Sequence, residues 1–216
     1  MRPRLQVAVD NPDLVTALSA LNRAEPVVDV IECGTILIIA EGLRAVREIR
    51  ALYPDKTILA DVRIAEAGSL ISRHCFEAGA SWVSCVAGAS LATIQQVVAV
   101  AREFGGEVQV ELGEGYDFER ARAWRELGVQ HVIVKRSRDR EAAGELTWGP
   151  DDLARIQELA DLGFTVTITG GIKPDELSTF TGSPVGVVIA GRSIMAAEDP
   201  RAAAQQMQAA IAEVWP

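Results

Sequence analysis

Cysteine is scarce in this chain, and none of it is arranged for metal or disulfide chemistry. Cys33, Cys75 and Cys85 form no CxxC motif and, being three, cannot all pair. That usage suits a reducing compartment, with thiols that pack rather than react. Histidine is scarcer still, at two residues, so the Cys and His spacings of a zinc site are absent. His74 falls inside a helical pattern and His131 opens a strand, so both read as structural or solvent-facing. No apolar run is long enough to cross a bilayer. The N-terminus, "MRPRLQVAVD", enters a strand-like run without a signal-peptide h-region. Excess positive charge is lacking too: the net charge is −9 and the pI about 4.8. An acidic surface argues against nucleic acid and anionic membrane as partners, while a local pocket can still be positive enough for a small anionic substrate. The expectation is a soluble cytoplasmic protein.

What is present is a full complement of core-forming residues, 49% of 216, and a length that fits one domain of an α/β barrel as well as two small domains. Short β-branched runs recur: "LQVAV" (5–9), "VVDVIE" (27–32), "TILA" (57–60), "WVSCV" (82–86), "VQVEL" (108–112), "HVIV" (131–134), "TVTI" (165–168) and "VGVVIA" (185–190). Amphipathic helical patterns lie between them, among them "EGLRAVREIRALY", "SLATIQQVVAVAREFG" and "DPRAAAQQMQAAIAEVW". Several end at a glycine, as helix C-capping requires. Near-continuous apolar strands alternating with helices imply a parallel sheet covered by helices. Eight such units in one chain predict an α/β fold, a single-domain (β/α)₈ TIM barrel over residues 1–216. A doubly wound open sheet is the alternative architecture.

In such a barrel the chemistry sits at the C-terminal ends of the strands. Asp10, Glu32, Asp61 and Glu111 each follow or end an apolar run and are expected to point into one mouth. Arg63 and Glu66 come just after Asp61, and Lys135, Arg136 and Arg138 follow the sixth run. Four carboxylates in one partly dry cleft repel one another and need cations. Arg63 and Lys135 supply some positive charge. With oxygen ligands alone, a hard divalent ion, Mg²⁺ or Mn²⁺, is favoured over zinc. The seventh and eighth runs end in "TITGGIKPDEL" and "VVIAGRSI". Glycine lets backbone N–H groups approach an anion, and these two loops are where phosphate binds in many barrels. Thr169, Gly170, Gly171, Gly191 and Arg192 are therefore candidate phosphate contacts.

The segments "VAVD", "VDVIECGTILIIAEGLRAVREIRALYPDK", "LADVRIAEAG", "EVQVEL", "KRSRDREAAG", "TVTITGGI" and "VVIAGRSI" together resemble the 3-keto-L-gulonate-6-phosphate decarboxylases. These belong to the orotidine-5′-monophosphate decarboxylase suprafamily, together with hexulose-6-phosphate synthase. The resemblance runs over almost the whole chain in motif order. It implies a homodimeric barrel with active sites at the subunit interface, Mg²⁺ held by Glu32 and Asp61, and Asp10 and Glu111 binding substrate hydroxyls or supporting the metal. It also implies phosphate held by the backbone of Gly170, Gly171 and Gly191 with Arg192. Arg138 matches the family arginine near the protonation step. Glu66 would approach the neighbouring subunit's ligand.

The departures cluster in one place. The family pattern D-x-K-x-x-D stands here as Asp61-x-Arg63-x-x-Glu66, and Lys135 occupies the position of a family histidine. Arginine stays protonated and its planar fork differs from an ammonium, so Arg63 is expected to stabilise developing charge. Lys135 would donate a proton if Arg136 and Arg138 lower its pKa. The reading is a Mg²⁺-dependent decarboxylase of a phosphorylated β-keto sugar acid acting through an enediolate. Two alternatives stand beside it: a sister aldol or isomerisation reaction through the same enediolate, and a sugar-phosphate-binding barrel with little catalysis.

Overall fold

Strands form where the β-branched runs lie, and the computed structural model, which describes residues 2–113, 117–136 and 148–216, closes them into a barrel. The strands are β1 (Arg4–Val9), β2 (Val30–Cys33), β3 (Thr57–Ile64), β4 (Trp82–Val86), β5 (Glu107–Glu111), β6 (His131–Lys135), β7 (Thr165–Thr169) and β8 (Val185–Ala190). Each pairs in parallel with the next, and β1 pairs with β8. The open-sheet alternative is thereby excluded: Val7 is in register with Ile31 on one side and Ala190 on the other.

The covering helices are α1 (Leu14–Ala24), α2 (Thr35–Glu41), α3 (Arg44–Leu52), α4 (Gly68–Glu77), α5 (Leu91–Phe104), α6 (Phe118–Leu127), α7 (Pro150–Asp161), α8 (Arg192–Met195) and α9 (Pro200–Val214). Their starts follow capping chemistry. Asp13, Ser90, Asp117 and Asp199 each accept a backbone N–H from the first turn of α1, α5, α6 and α9. None of the described helices is long and apolar enough to cross a membrane.

Three boundaries differ from the sequence expectation. Pro26 opens a short 3₁₀ turn, Glu25–Val27, so β2 begins at Val30 rather than at residue 27. The helical pattern expected over 41–53 is preceded by a separate helix, α2, which ends where Gly42 adopts φ +61°. The third strand runs on to Ile64, past the expected end at residue 60. Asp61 and Arg63 therefore lie within β3 rather than after it.

The barrel interior is layered, because strand side chains alternate with period two. Val30, Leu59 and Trp82 form a small apolar cluster at its N-terminal end. His131 stacks on Trp82 with ring centroids 4.3 Å apart, and the Arg4 guanidinium lies over the same indole. Two residues further along come the buried polar side chains Ser84 and Gln109, with Gln6 and Thr167 buried as well. Glu32, Asp61, Glu111 and Lys135 line the C-terminal mouth. Cys33, Cys75 and Cys85 are free and buried, and burial pushes all three thiols up, Cys75 and Cys85 to about 12, which keeps them inert at neutral pH.

Candidate active site

A cavity of about 630 Å³ opens at the C-terminal mouth. Its walls carry Asp10, Glu32, Asp61, Arg63, Glu111, Lys135 and Arg136 at the ends of β1, β2, β3, β5 and β6, and Thr169, Gly170, Gly171, Gly191 and Arg192 at the ends of β7 and β8. Of the residues singled out in the sequence, two are not among them. Arg138 lies outside the described residues. Glu66 is exposed, in the link between β3 and α4, and does not line this cavity.

Glu32, Asp61 and Glu111 are buried and Asp10 is partly buried, and each is individually supported. Gln6 Nε2 donates to Glu32 Oε2 at 2.6 Å. Asp61 is clamped from two neighbouring elements: Thr35 Oγ1 donates to Oδ2 at 2.6 Å and Ser84 Oγ to Oδ1 at 2.7 Å. Asp10 accepts the Ile36 N–H at 3.4 Å. Gly34 leaves room for it, since a Cβ there would stand 2.2 Å from Asp10 Oδ1.

The cations sit between these acids. Arg63 Nε is 3.4 Å from Asp61 Oδ2, and Arg63 Nη2 is 3.2 Å from Glu111 Oε2. Lys135 Nζ donates to the other oxygen of Glu111. A charge chain Asp61–Arg63–Glu111–Lys135 thus crosses from β3 to β6. Burial works to lower the Arg63 pKa, but the Asp61 and Glu111 carboxylates outweigh it and hold the guanidinium charged.

A local distortion aims Arg63. Ala60 pairs with Val83 and Ile64 with Cys85, so four steps along β3 meet two along β4. Within this bulge Arg63 adopts φ +49°, a left-handed conformation uncommon for a non-glycine residue. Its N–H is held by Ser84 Oγ at 2.9 Å. The buried Ser84 hydroxyl therefore accepts from Arg63 and donates to Asp61.

Glu32 carries the strongest electrostatic demand. Burial, and next the Asp61 carboxylate, push its carboxyl well above the usual range, with Asp10 and Glu111 adding to the effect and the Gln6 hydrogen bond opposing it. Glu32 has no ion-pair partner among the described residues. A divalent cation beside it would reverse this penalty, and the donors are all oxygens. No group of three or more His, Cys, Asp or Glu converges as a metal cage among the described residues. A pair of carboxylates, with water and substrate oxygens completing the shell, is nonetheless the habit of Mg²⁺. Glu32 and Asp61 fit such an ion.

Sequence reasoning passed over several residues of this site. Gln6, Thr35 and Ser84 orient the carboxylates, and Lys173 lines the cavity. Gln6 and Ser84 had a signal: each is a lone polar residue in an apolar strand run.

The sequence matches the model of the Orotidine 5′-phosphate decarboxylase / HUMPS family over residues 3–207. It is 47% identical over 213 residues to the 3-keto-L-gulonate-6-phosphate decarboxylase UlaD of Salmonella paratyphi B, spanning 99% of this chain and 98% of that protein. Among solved structures, KGPDC from Streptococcus mutans in complex with D-ribose 5-phosphate superposes with a TM-score of 0.96 at 36% identity, over 99% of each chain. The 3-hexulose-6-phosphate synthase from Salmonella typhimurium gives 0.88 at 30% identity, over 97% of this chain and 99% of that one.

Proposed function

Because this chain belongs to the orotidine 5′-phosphate decarboxylase / HUMPS family, we propose that it decarboxylates a phosphorylated β-keto sugar acid, 3-keto-L-gulonate 6-phosphate. The observation that carries this reading is the full-length 47% identity to a decarboxylase of that name. The cavity supports it, lined by acids and cations together with glycines and Arg192.

In this reading Gly170, Gly171 and Gly191 offer backbone N–H groups to the phosphate and Arg192 adds charge. Thr169 borders the same wall. Asp10 and Glu111 accept hydrogen bonds from sugar hydroxyls. Glu32 and Asp61 hold Mg²⁺, which when bound supplies Lewis-acid stabilisation of negative charge on oxygen. The bond to the carboxylate carbon breaks, CO₂ leaves, and its bonding pair becomes an enediolate on the sugar. Arg63, fixed by Asp61 and Glu111, stabilises that charge. Lys135 hands a proton to the carbanionic carbon. It lines the cavity, which supports this role; Arg136, expected to bias it, turns its guanidinium to Glu176 and Gly170 instead.

The dimer expected from sequence belongs to the same proposal. Ile36 and Ile39 on α2, Leu70 on α4 and Leu91 on α5 are large apolar side chains left exposed. All four lie on helices that start at the mouth after the consecutive strands β2, β3 and β4. A second copy of the chain would cover this arc, and Glu66 beside it would reach the neighbour's ligand.

The second reading, aldol or isomerisation chemistry through the same enediolate, is favoured by one feature: Arg63 and Lys135 replace the lysine and histidine of the decarboxylase pattern. The deciding experiment is turnover with and without Mg²⁺ on 3-keto-L-gulonate 6-phosphate and a panel of hexulose phosphates. Metal-dependent CO₂ release is the expected result. Formaldehyde-dependent condensation without CO₂ release would favour the sister reaction. Binding without turnover would leave a sugar-phosphate-binding barrel.

A further inference from the structure

We infer that Arg136 is a positioning residue for the phosphate wall, one that sets the direction of the Gly171 N–H through the Gly170 carbonyl. The inference rests on the phosphate site proposed above. Arg136 immediately follows β6, and its side chain is only 9% exposed. All three of its guanidinium nitrogens are engaged. Nε donates to Gly170 O at 2.8 Å, Nη1 to Glu176 Oε1 at 2.9 Å and Nη2 to Glu176 Oε2 at 3.4 Å. Its own backbone N–H donates to Thr169 O at 3.1 Å. The Trp148 ring centroid lies 5.6 Å from the guanidinium carbon.

These contacts grip the turn after β7 at both ends. Glu176 Oε2 also accepts the Lys173 N–H at 2.9 Å, so the Arg136–Glu176 pair spans residues 169–176. The approach is close enough to demand glycine. Gly170 has φ +108°, and a Cβ on it would meet the Arg136 backbone nitrogen and oxygen at 2.8 Å. The absence of a side chain at residue 170 is thus explained by Arg136 as well as by an anion.

The chemical consequence follows from peptide geometry. No peptide bond among the described residues is cis, and in a trans peptide the C=O of one residue and the N–H of the next point in opposite directions. Drawing the Gly170 carbonyl onto Arg136 therefore turns the Gly171 N–H the other way. That N–H has no hydrogen-bond partner among the described residues, and Gly171 lines the cavity. The same contact keeps a carbonyl oxygen, which would repel an anion, away from the phosphate. Arg136 acts through the backbone: Glu176 already neutralises its charge.

The test measures binding of ribose 5-phosphate and, as control, ribose to the full chain by calorimetry, beside steady-state turnover. Arg136→Gln should weaken ribose 5-phosphate by about tenfold or more, leave ribose unchanged, and raise KM with kcat largely kept. Arg136→Lys, which can reach one partner but not both, should fall between. Glu176→Gln should act in the same direction as Arg136→Gln, and the double variant should be little worse than either, since the two serve one contact. Glu176→Gln carries the test if Arg136→Gln does not fold. Unchanged ribose 5-phosphate affinity in a folded variant overturns the inference. So does tighter phosphate binding by Glu176→Gln, which would make Arg136 a direct ligand. Wild type that fails to bind ribose 5-phosphate overturns the phosphate site itself, a separate result.

Discussion

Arg63 Nη2 stands 3.2 Å from Glu111 Oε2, joining β3 to β5 over the intervening strand. The other oxygen of Glu111 takes Lys135, so one carboxylate holds two cations of the cavity in place. Glu111→Gln would keep the volume and remove the charge that both cations rely on. Turnover should fall by about 10²-fold, the cost typical of reacting groups displaced by about 1 Å. Steady-state kinetics checks this, and an unchanged kcat would show that Arg63 and Lys135 hold their positions without it.

Ser84→Ala tests the hydroxyl shared by Asp61 and Arg63. The substitution leaves one Asp61 oxygen and the Arg63 N–H without their partner in a buried place, at a cost of about 1–3 kcal/mol. Chemical denaturation should show that loss. Mg²⁺ titration should show weaker binding, because Asp61 loses the hydrogen bond that fixes Oδ1. Wild-type stability and metal affinity in the variant would remove Ser84 from the site.

Arg192→Ala should weaken phosphorylated ligands by about 1.5–3 kcal/mol, as expected for a hydrogen bond to a charged group, and leave their unphosphorylated counterparts almost unaffected. Comparing the two ligand classes by calorimetry decides it. Equal weakening of both would place Arg192 outside the phosphate contact.

Ile39 is 76% exposed on α2, an apolar side chain that a partner would cover. Ile39→Asp should shift the protein from dimer to monomer in analytical ultracentrifugation and reduce turnover, because Glu66 then serves no neighbour. A wild-type protein that is already monomeric and fully active would reject the shared-site arrangement.

The pH dependence has one clear contributor at the N-terminal end of the barrel. The hydrogen bond from His131 to Glu107, 2.7 Å long, is the largest of the effects that hold the Glu107 carboxyl below its ordinary range; partial burial opposes it, and the charges of His131 and Arg4 add to it. A carboxyl with a lowered folded-state pKa stabilises the fold above its unfolded pKa, and that stability is lost as pH falls through the folded value. Wild type should therefore exceed Glu107→Gln in stability near neutrality, with the gap closing on acidification. Thermal unfolding across that range checks this, and a gap that stays flat with pH would show that the pair contributes no ionic stabilisation.

The barrel was legible in the chain because its signals are local. A β-branched run, a capping side chain and a terminal glycine act within a few residues of one another. A parallel barrel brings the ends of all its strands to one mouth, so Asp10, Glu32, Asp61 and Glu111 could be grouped from position alone. Their partners could not be read this way. The Asp61 clamp needs Thr35 from α2 and Ser84 from β4, and the Arg136 contact joins residues 136, 170 and 176; each depends on register between segments distant in sequence. The bulge that carries β3 on to Ile64 and puts Arg63 at φ +49° is likewise a product of pairing with β4. Nothing in "LADVRIAEAG" announces it, because a backbone distortion held by a neighbouring strand has no signature in the strand that bends. The sequence by itself determined which charges stand at the mouth; tertiary pairing decided which of them touch, and turned Glu66 out of its own cavity.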